Sequence, residues 1–308
     1  MKIAFFGSAN IGFTCLSKLI QDKFDIVLVV SQAAKKSGRH LLLKSSPIEK
    51  LAFESSVKFY CPENVNSVDS VNLIKESLPD VFVVVSYGQI FSTELLSIPS
   101  KLAINLHTSL LPKYRGAAPI NWAIINGDKE TGITIMKMSK EMDAGPIIAQ
   151  KKIIIEHFDN ALVLTDRLVN LGTELLVQTL LKIEKNDFKL MEQDEKQVTF
   201  ARKLVKEDCL IVWGQSACII DNKIRGCYGW PGSFTLYRGK ILKIFSTGIE
   251  PVNNTQPGKI IRVAKDGILV QCGQNALLVK ELQLESGKRL TAEQFVAGHK
   301  ITPFEKLG

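Results

Sequence analysis

Apolar residues in the first part of the chain switch between the period of a strand and that of a helix. Lys2–Phe6 is a short apolar run, Ile11–Gln21 repeats its apolar residues with helical spacing, and Phe24–Ser31 is again almost wholly apolar. Strands of such composition are typically covered on both faces, as in a parallel sheet. Val81–Val85 is the most apolar run of all. The pattern therefore predicts an open α/β domain that begins β-α-β.

The run Leu102–His107 is predicted to be a buried strand that carries two polar side chains near its end. Residues i and i+2 of a strand point to the same face, so Asn105 and His107 are expected to project together. A loop rich in Pro and Gly follows, and after it the pattern predicts a helix over Ala118–Asn126. An alternating strand comes next and leads into a loop that carries Asp143.

An amide, an imidazole and a carboxylate are the groups needed for attack of an amine on a carbonyl carbon. A structural explanation is also open, because an Asn near a His is commonly a strand-end hydrogen bond. An Asp in a loop with Gly is likewise commonly part of a turn. Gly7 and Gly12 match the dinucleotide-binding fingerprint poorly, so we expect no nicotinamide site.

The last third of the chain has a different pattern, with brief apolar runs separated by Gly or Asn turns. Many short strands at close spacing are typical of a small β-barrel. A polar stretch precedes them and is the expected linker. We therefore predict a catalytic domain over residues 1–185, a linker over 186–206 and a C-terminal β-barrel domain over 207–308.

Composition and charge narrow the class of protein. The 308 residues are 45% hydrophobic and 23% charged, which is ordinary for a globular protein. No apolar run approaches the ~20 residues that span a membrane. Residues 201–308 carry 16 Lys and Arg against 9 Asp and Glu, whereas residues 1–200 carry 23 against 22. This asymmetry favours a polyanion bound by the C-terminal part, although a solvated basic face would give the same counts.

Metal and redox chemistry are not indicated by the sequence. The six cysteines are scattered without a Cys-x-x-Cys pair, and the chain has four His residues. We therefore expect no metal site, and reduced thiols fit a cytosolic compartment. The N-terminal apolar run is broken too early for a signal peptide, so we expect a cytoplasmic protein.

Four segments of the central stretch carry a resemblance to a known family. They begin at Asn105, Arg115, Gly127 and Met142 and read Asn-x-His-x-Ser-Leu-Leu-Pro, Arg-Gly-Ala-Ala-Pro-Ile, Gly-Asp-x-Glu-Thr-Gly-Ile-Thr-Ile-Met and Met-Asp-x-Gly. Together they resemble the 10-formyltetrahydrofolate-dependent formyltransferases, and the similarity covers nearly the whole chain. The Arg115–Ile120 segment and the β-rich tail resemble the branch of that family that acts on a tRNA.

The resemblance implies a Rossmann-like α/β formyltransferase domain with a mostly parallel sheet and a small C-terminal OB-like β-barrel. It implies transfer of a formyl group from the co-substrate 10-formyltetrahydrofolate to the free amino group of methionyl-initiator tRNA. It further implies a monomer that needs no metal and no obligate protein partner. Asn105, His107 and Asp143 match the catalytic positions of the family. Asn105 and His107 are assigned to the oxyanion, and Asp143 is assigned to orient His107 and relay a proton.

The resemblance also implies which residues bind the two substrates. Two segments are expected to form the folate site: Ser109, Leu110, Leu111 and Pro112, and Ser86, Tyr87, Gly88, Gln89 and Ile90. A basic loop over residues 32–46 matches the segment that enters the acceptor stem of the tRNA in the family, although it lacks the usual Pro-Asp-Arg/Lys-Pro run. The predicted tRNA contacts are Arg39, Lys35 and Lys36 in this loop, and Arg225, Lys259 and Arg262 in the tail.

The sequence leaves two roles open for each of three residues. The Ser109 hydroxyl would simply cap its loop if it does not shape the folate site. Arg115 is a candidate to position tRNA or folate, and a structural salt bridge is equally compatible with the sequence. Trp230 either stacks on a nucleotide or belongs to the core.

Other functions share the central residues. A sugar-nucleotide N-formyltransferase, a glycinamide ribonucleotide transformylase or a formyltetrahydrofolate hydrolase would keep Asn105, His107 and Asp143, but the basic loop and basic tail argue against them. A non-catalytic tRNA-binding protein on the same fold would be expected to lose at least one of these three residues. All three are present.

Overall fold

The computed structural model describes residues 1–32, 46–253 and 256–308. The chain forms two compact units. The first comprises Met1–Gly116, Gly132–Ile153 and Asp166–Phe200, and the second comprises Ala117–Thr131, Ile154–Thr165 and Ala201–Gly308.

The described residues form thirteen strands, eight α-helices and two 3-10 helices. The strands are β1 Lys2–Gly7, β2 Asp25–Val30, β3 Phe59–Tyr60, β4 Val81–Val85, β5 Leu102–His107, β6 Glu130–Lys137, β7 Ile147–Ile154, β8 Phe234–Tyr237, β9 Lys240–Glu250, β10 Ile260–Ala264, β11 Gly267–Gln271, β12 Ala276–Leu284 and β13 Leu290–Thr291. The helices are α1 Ala9–Gln21, α2 Pro47–Glu54, α3 Val68–Glu76, α4 Thr93–Leu96, α5 Pro119–Ile125, α6 Ala161–Glu184, α7 Ala217–Gly226 and α8 Ala292–Gly298. Two short 3-10 helices cover Glu195–Gln197 and Lys206–Cys209.

The first unit is built on a seven-stranded sheet with the order β3-β2-β1-β4-β5-β6-β7. Strands β3, β2, β1, β4 and β5 are mutually parallel, whereas β6 runs antiparallel to β5. All five residues of β4 are buried, as its composition predicts for the centre of a parallel sheet. On one face, the rings of Phe6, Phe82 and Phe91 pack edge to face, and these contacts fix β1 and β4 in the core.

The second unit contains an antiparallel sheet with the order β10-β11-β12-β9-β8, and β13 pairs with β12. Its core joins residues of the sheet to α7 and α8 through the fully buried side chains of Ile220, Leu277 and Phe295. A mostly parallel α/β unit followed by an antiparallel β unit confirms the predicted fold class. Within the described residues, no helix combines the length and apolar character needed to cross a membrane.

The carboxyl ends of β4 and β5 lie side by side, because Val84 pairs with Asn105. In open α/β sheets, ligands bind where such strand ends meet, and catalytic groups are carried by the loops that follow them. The segments that begin at Ser86 and at Thr108 leave the sheet at this edge. The sheet therefore brings together two segments that are about twenty residues apart in the sequence.

The Tyr87 side chain is buried in the aromatic cluster, and within the described residues its hydroxyl has no hydrogen-bond partner. Burial raises the pKa of this phenol well above its usual value. We expect Tyr87→Phe to increase the free energy of unfolding by about 1 kcal/mol, since an unpaired buried hydroxyl is costly. Urea unfolding measures the change.

The matched control is Tyr237→Phe, because the buried Tyr237 hydroxyl donates to the Lys300 carbonyl and lies 3.2 Å from a carboxylate oxygen of Glu305. This variant is expected to lose stability. Loss of stability in both variants would show that the Tyr87 hydroxyl is paired.

Asp80 ties the start of β1 to the start of β4. The Lys2 amide donates to one carboxylate oxygen and the Ser100 hydroxyl donates to the other, each at 2.8 Å. These bonds, the Lys2 bond first, lower the pKa of Asp80. A lowered pKa in the folded state stabilises the fold above the unfolded value of about 3.9, and the stabilisation is lost as the pH falls.

We therefore expect Asp80→Asn to be less stable than wild type at pH 7. The difference should shrink once the pH falls below about 4 and vanish when the folded carboxyl is protonated. Urea unfolding at both pH values measures it, with the exposed Asp187→Asn as control. Equal stability of wild type and Asp80→Asn at pH 7 would contradict the role of these two hydrogen bonds.

Candidate active site

His107 lies at the end of β5, and its ring is fixed from two sides. The carbonyl oxygen of Tyr114 lies 2.9 Å from Nε2, and a carbonyl can only accept, so Nε2 carries a hydrogen. The other ring nitrogen, Nδ1, lies 3.7 Å from Oδ2 of Asp143. The side chains of His107 and Asp143 are 7% and 13% exposed, so water screens this contact only weakly.

Asp143 lies in the loop between β6 and β7 with a positive φ of 54°. Its Oδ2 accepts a hydrogen bond of 2.9 Å from the backbone amide of Gly116. The loop thus places one carboxylate oxygen near both an imidazole nitrogen and a backbone amide. The sequence alone places Asp143 36 residues beyond His107, and the fold brings the two together.

Asn105 precedes His107 by two residues on β5, so both side chains project from the same face of the strand. Its side chain is half-buried. Among the described residues, none forms a hydrogen bond with the Asn105 amide group. The amide is therefore available as a donor to an oxygen atom of a bound molecule.

The segment Ser109–Pro112 is held rigidly by side chains of β6 and β7. The Ser109 hydroxyl donates to the Lys113 carbonyl at 2.6 Å, so it caps its own loop. Thr134 donates to the Ser109 carbonyl at 2.7 Å, and Gln150 donates to the Leu111 carbonyl at 2.8 Å. Neither Thr134 nor Gln150 was predicted from the sequence. The one signal for Thr134 is that it is polar between the apolar residues Ile133 and Ile135, and Gln150 has no such signal because Lys151 and Lys152 follow it.

The segment Ser86–Ile90 leaves the end of β4 with alternating exposure. Ser86 and Gly88 are exposed and have positive φ angles of 52° and 83°, while the side chain of Tyr87 between them is buried. Gln89 accepts from the Val65 amide at 2.9 Å. The segment therefore has exposed residues at Ser86 and Gly88 and is anchored by the side chains of Tyr87 and Gln89.

Arg115 is buried, and the structure decides between its two predicted roles. Its Nε and Nη2 donate to Oε1 of Gln193 at 3.1 and 2.9 Å, and Nη2 also donates to Oε1 of Glu195 at 2.7 Å. The guanidinium is 6% exposed and therefore faces protein. Arg115 forms a structural bridge to the segment that follows α6, and Gln193 in that segment was not identified from the sequence.

The predicted tRNA-contacting residues occupy different settings. Lys35, Lys36 and Arg39 lie outside the described residues. The Arg225 guanidinium is paired with Asp221 at 2.9 Å and also donates to the Asp159 carbonyl.

Two further residues of this set lie in β10 or directly before it. Arg262 is paired with Asp266 and Glu250, each at 3.0 Å. Lys259 lies in an isolated bridge opposite Lys306. The predicted role of these residues in binding tRNA remains a prediction.

Trp230 belongs to the surface, because its side chain is 59% exposed. The Lys203 ammonium lies 6.0 Å from the centre of its ring. An exposed aromatic ring beside a cation is a suitable surface for stacking a base. Within the described part of the chain, no three His, Cys, Asp or Glu side chains are grouped closely enough to hold a metal ion.

Gly145 closes the loop that carries Asp143. A Cβ atom at this position would lie 1.9 Å from the Lys137 carbonyl oxygen, so alanine there must displace backbone. We expect Gly145→Ala to shift Asp143 and to lower the rate of the site's reaction by about 10–100-fold. The control is Gly214→Ala, since nothing lies within 4 Å of a Cβ there. Equal activity of Gly145→Ala and wild type would show that the loop tolerates the displacement.

Comparison with known protein families shows the class of enzyme to which the chain belongs. A family model described as "Formyl transferase" matches residues 1–180, and one described as "Formyl transferase, C-terminal domain" matches residues 203–300. The chain is thus a formyltransferase.

Full-length relatives show which family of formyltransferases the chain belongs to. The methionyl-tRNA formyltransferase of Caldanaerobacter subterraneus subsp. tengcongensis is 42% identical over 98% of this chain and 98% of its own. The one from Acetivibrio thermocellus is 39% identical over 100% of both chains. The chain belongs to the methionyl-tRNA formyltransferase family, which confirms the resemblance found in its motifs.

Solved structures share the fold. An N-formyltransferase from Helicobacter canadensis, solved with folinic acid and dTDP-3-aminofucose, has a TM-score of 0.69 at 18% identity and covers 91% of this chain and 99% of its own. HypX from Aquifex aeolicus, solved with tetrahydrofolic acid, has a TM-score of 0.65 at 14% identity over 96% of this chain. This chain spans just under half, 46%, of the HypX chain.

Proposed function

We propose that this chain transfers the formyl group of 10-formyltetrahydrofolate to the free amino group of methionyl-initiator tRNA, with Asn105, His107 and Asp143 as the catalytic residues. The observation that carries the proposal is the His107–Asp143 contact of 3.7 Å beside an Asn105 amide that the described residues leave unpaired. Full-length relatives named methionyl-tRNA formyltransferase support the choice of reaction.

The proposed reaction forms a bond between the amine nitrogen and the formyl carbon and breaks the bond from that carbon to the folate nitrogen. Negative charge develops on the formyl oxygen as the amine attacks. Asn105 donates its amide N–H to this oxygen. His107 in its protonated form donates from Nδ1, because its Nε2–H is already bonded to the Tyr114 carbonyl. Donors aimed at developing charge in a site that excludes water commonly contribute most of the rate enhancement.

Proton transfer is assigned to Asp143, which lies beside His107. The attacking amine must lose one proton, and the folate nitrogen must gain one as it leaves. Asp143 orients the His107 ring from the Nδ1 side and accepts the amine's proton through a water molecule. The same proton then passes to the folate nitrogen as the bond from that nitrogen to the formyl carbon breaks. Because the Gly116 amide already donates to Oδ2 of Asp143, the carboxylate is held in one orientation while it acts.

The folate site is assigned to Ser86–Ile90 and Ser109–Pro112. Both segments lie at the carboxyl ends of parallel strands, where ligands bind in open α/β sheets. The exposure of Ser86 and Gly88 supports the assignment, since small exposed residues let a ligand such as a pterin ring approach the backbone. In solved relatives of the same fold, folinic acid and tetrahydrofolic acid are the bound folates.

The tRNA site is assigned to the basic C-terminal part and to the loop over residues 32–46. Arg39, Lys35, Lys36, Arg225, Lys259 and Arg262 are the proposed contacts. Residues 201–308 carry 16 basic against 9 acidic residues, and such an excess attracts the phosphate backbone. A folate and an aminoacyl-tRNA are substrates of the cytoplasm, so we place the protein there.

The test is a comparison of acceptors. The purified chain is mixed with 10-formyltetrahydrofolate and, in separate reactions, methionyl-initiator tRNA, methionyl-elongator tRNA and an amino sugar nucleotide. Fast product on the initiator tRNA alone is the expected result. Equal rates on both tRNAs would keep the chemistry and remove the loop over residues 32–46 as the selector. Product on the sugar alone would overturn the proposal.

A further inference from the structure

We infer that Gln193 is a positioning residue for catalysis, which holds Asp143 in its working conformation through the backbone of the Asp143 loop. Its Nε2 donates to the Asp143 carbonyl at 2.8 Å and to the Gly145 carbonyl at 2.7 Å. Gln193 is 8% exposed, so both bonds are shielded from competing water. The inference rests on the proposed function, since it assigns Asp143 a part in catalysis.

The oxygen of the Gln193 side-chain amide is also hydrogen-bonded. Oε1 of Gln193 accepts from Nε and Nη2 of the buried Arg115. An arginine can only donate and a carbonyl can only accept, so these partners determine which amide atom is oxygen and which is nitrogen. Glu195 balances the charge of Arg115 from the surface, where its side chain is 71% exposed.

The Asp143 backbone requires such support. With a φ of 54°, Asp143 lies in the left-handed region, which is costly for a residue other than Gly and persists only when its surroundings hold it. One amide group that binds the carbonyls of residues 143 and 145 constrains the peptide groups that follow Asp143 and Gly145. The direction of the Asp143 side chain follows from that backbone.

The carboxylate and the backbone carbonyl of Asp143 are both linked by hydrogen bonds to the segment Arg115–Gly116. Its carboxylate accepts from the Gly116 amide, and its carbonyl is joined through Gln193 to Arg115, the residue before Gly116. These hydrogen bonds connect Asp143, through Gln193 and Arg115, back to the Gly116 amide that binds its own carboxylate. A shift at Gln193 therefore changes the distance between the carboxylate and His107. A displacement of about 1 Å at a reacting group can cost about 100-fold in rate.

Gln193→Met tests the inference, because methionine keeps the length of the side chain and removes both the donor and the acceptor. We expect kcat for methionyl-tRNA formylation to fall by about 10–100-fold. The KM values for 10-formyltetrahydrofolate and tRNA should change by less than about twofold. The reason is that the substitution leaves unchanged the contacts that bind the substrates equally in the ground state and the transition state. The matched control is Gln197→Met, because Gln197 is exposed and its side-chain amide donates to Asp194 at 2.9 Å.

A second variant guards against a folding defect. Gln193→Glu keeps the contact with Arg115 and presents carboxylate oxygen, in place of N–H, to the two carbonyls. It should retain its fold, as monitored by circular dichroism and thermal unfolding, and show the same loss of kcat. A folded Gln193→Glu with wild-type kcat would overturn the inference.

A double-mutant cycle separates positioning from general support of the fold. In an Asp143→Asn background, Gln193→Met should cost little further rate, because the carboxylate that it positions is already absent. An equal fold-loss in both backgrounds would overturn the inference while leaving the proposed function intact. A wild type that forms no product would overturn the proposed function and this inference with it.

Discussion

Replacement of Asn105 by Asp is expected to lower the single-turnover rate of formyl transfer by about 100–1,000-fold. The change removes an N–H donor from the position where the formyl oxygen gains negative charge, and it adds a negative charge in the same place. Asn105 lies on strand β5, and its side-chain amide makes no hydrogen bond with the described residues, so the substitution removes no side-chain hydrogen bond from the fold. Rapid-quench measurement of formylmethionyl-tRNA gives the rate.

Asn186→Asp is the control for this change, because Asn186 is exposed after α6 and bonds to Lys101 at 2.9 Å. It should react at the wild-type rate. Binding of 10-formyltetrahydrofolate to Asn105→Asp should stay within about threefold of wild type, since the donor acts mainly in the transition state. An Asn105→Asp variant that reacts as fast as wild type would remove Asn105 from the oxyanion site.

Replacement of Asp143 by Asn is expected to lower kcat by about 100–10,000-fold, the range typical for loss of a general acid or base. The amide oxygen of asparagine can still accept from the Gly116 backbone, so the loop should be kept. The negative charge 3.7 Å from Nδ1 of His107 is lost, and with it the acceptor for the amine's proton. Steady-state kinetics at saturating folate and tRNA measure the change.

The control is Asp69→Asn, which removes a carboxylate from an exposed position in the first turn of α3. We expect this variant to keep the wild-type kcat. Thermal unfolding checks that Asp143→Asn is folded. A folded Asp143→Asn with kcat within threefold of wild type would show that the carboxylate takes no part in the reaction.

The sequence predicted the fold well where local pattern decides the structure. The apolar runs of β1, β2, β4 and β5 were predicted within one or two residues of their bounds, because a strand buried on both faces leaves a continuous apolar run. The common projection of Asn105 and His107 followed from the period of a strand. These features depend only on neighbours in sequence.

The residues that hold the site in place, such as Gln193, could not be predicted from local pattern. Gln193 lies in a polar stretch that was expected to be a linker, and no neighbouring residue indicates that it is buried. Its partners are 50 residues away at Asp143 and 78 residues away at Arg115. Contacts at such separation are set by the packing of the sheet and not by local propensity.

Charge gives a second example of this limit. The sequence shows Arg225 as one of many basic residues in the tail, whereas the fold pairs it with Asp221 one helical turn away and with the Asp159 carbonyl. Trp230 was compatible with core or surface and is exposed. Burial and pairing of single polar residues depend on tertiary contacts, and the counts of charges contain no information about them.

The most direct measurement follows the formyl carbon itself. Enzyme in excess over 10-formyltetrahydrofolate labelled in the formyl carbon is mixed with methionyl-initiator tRNA, and the label is traced in a single turnover. We predict that the label appears on the methionyl nitrogen of the tRNA, at a rate that Asn105→Asp lowers by about 100-fold or more. Label that stays on the bound folate or leaves as formate would contradict formyl transfer to methionyl-tRNA at Asn105, His107 and Asp143.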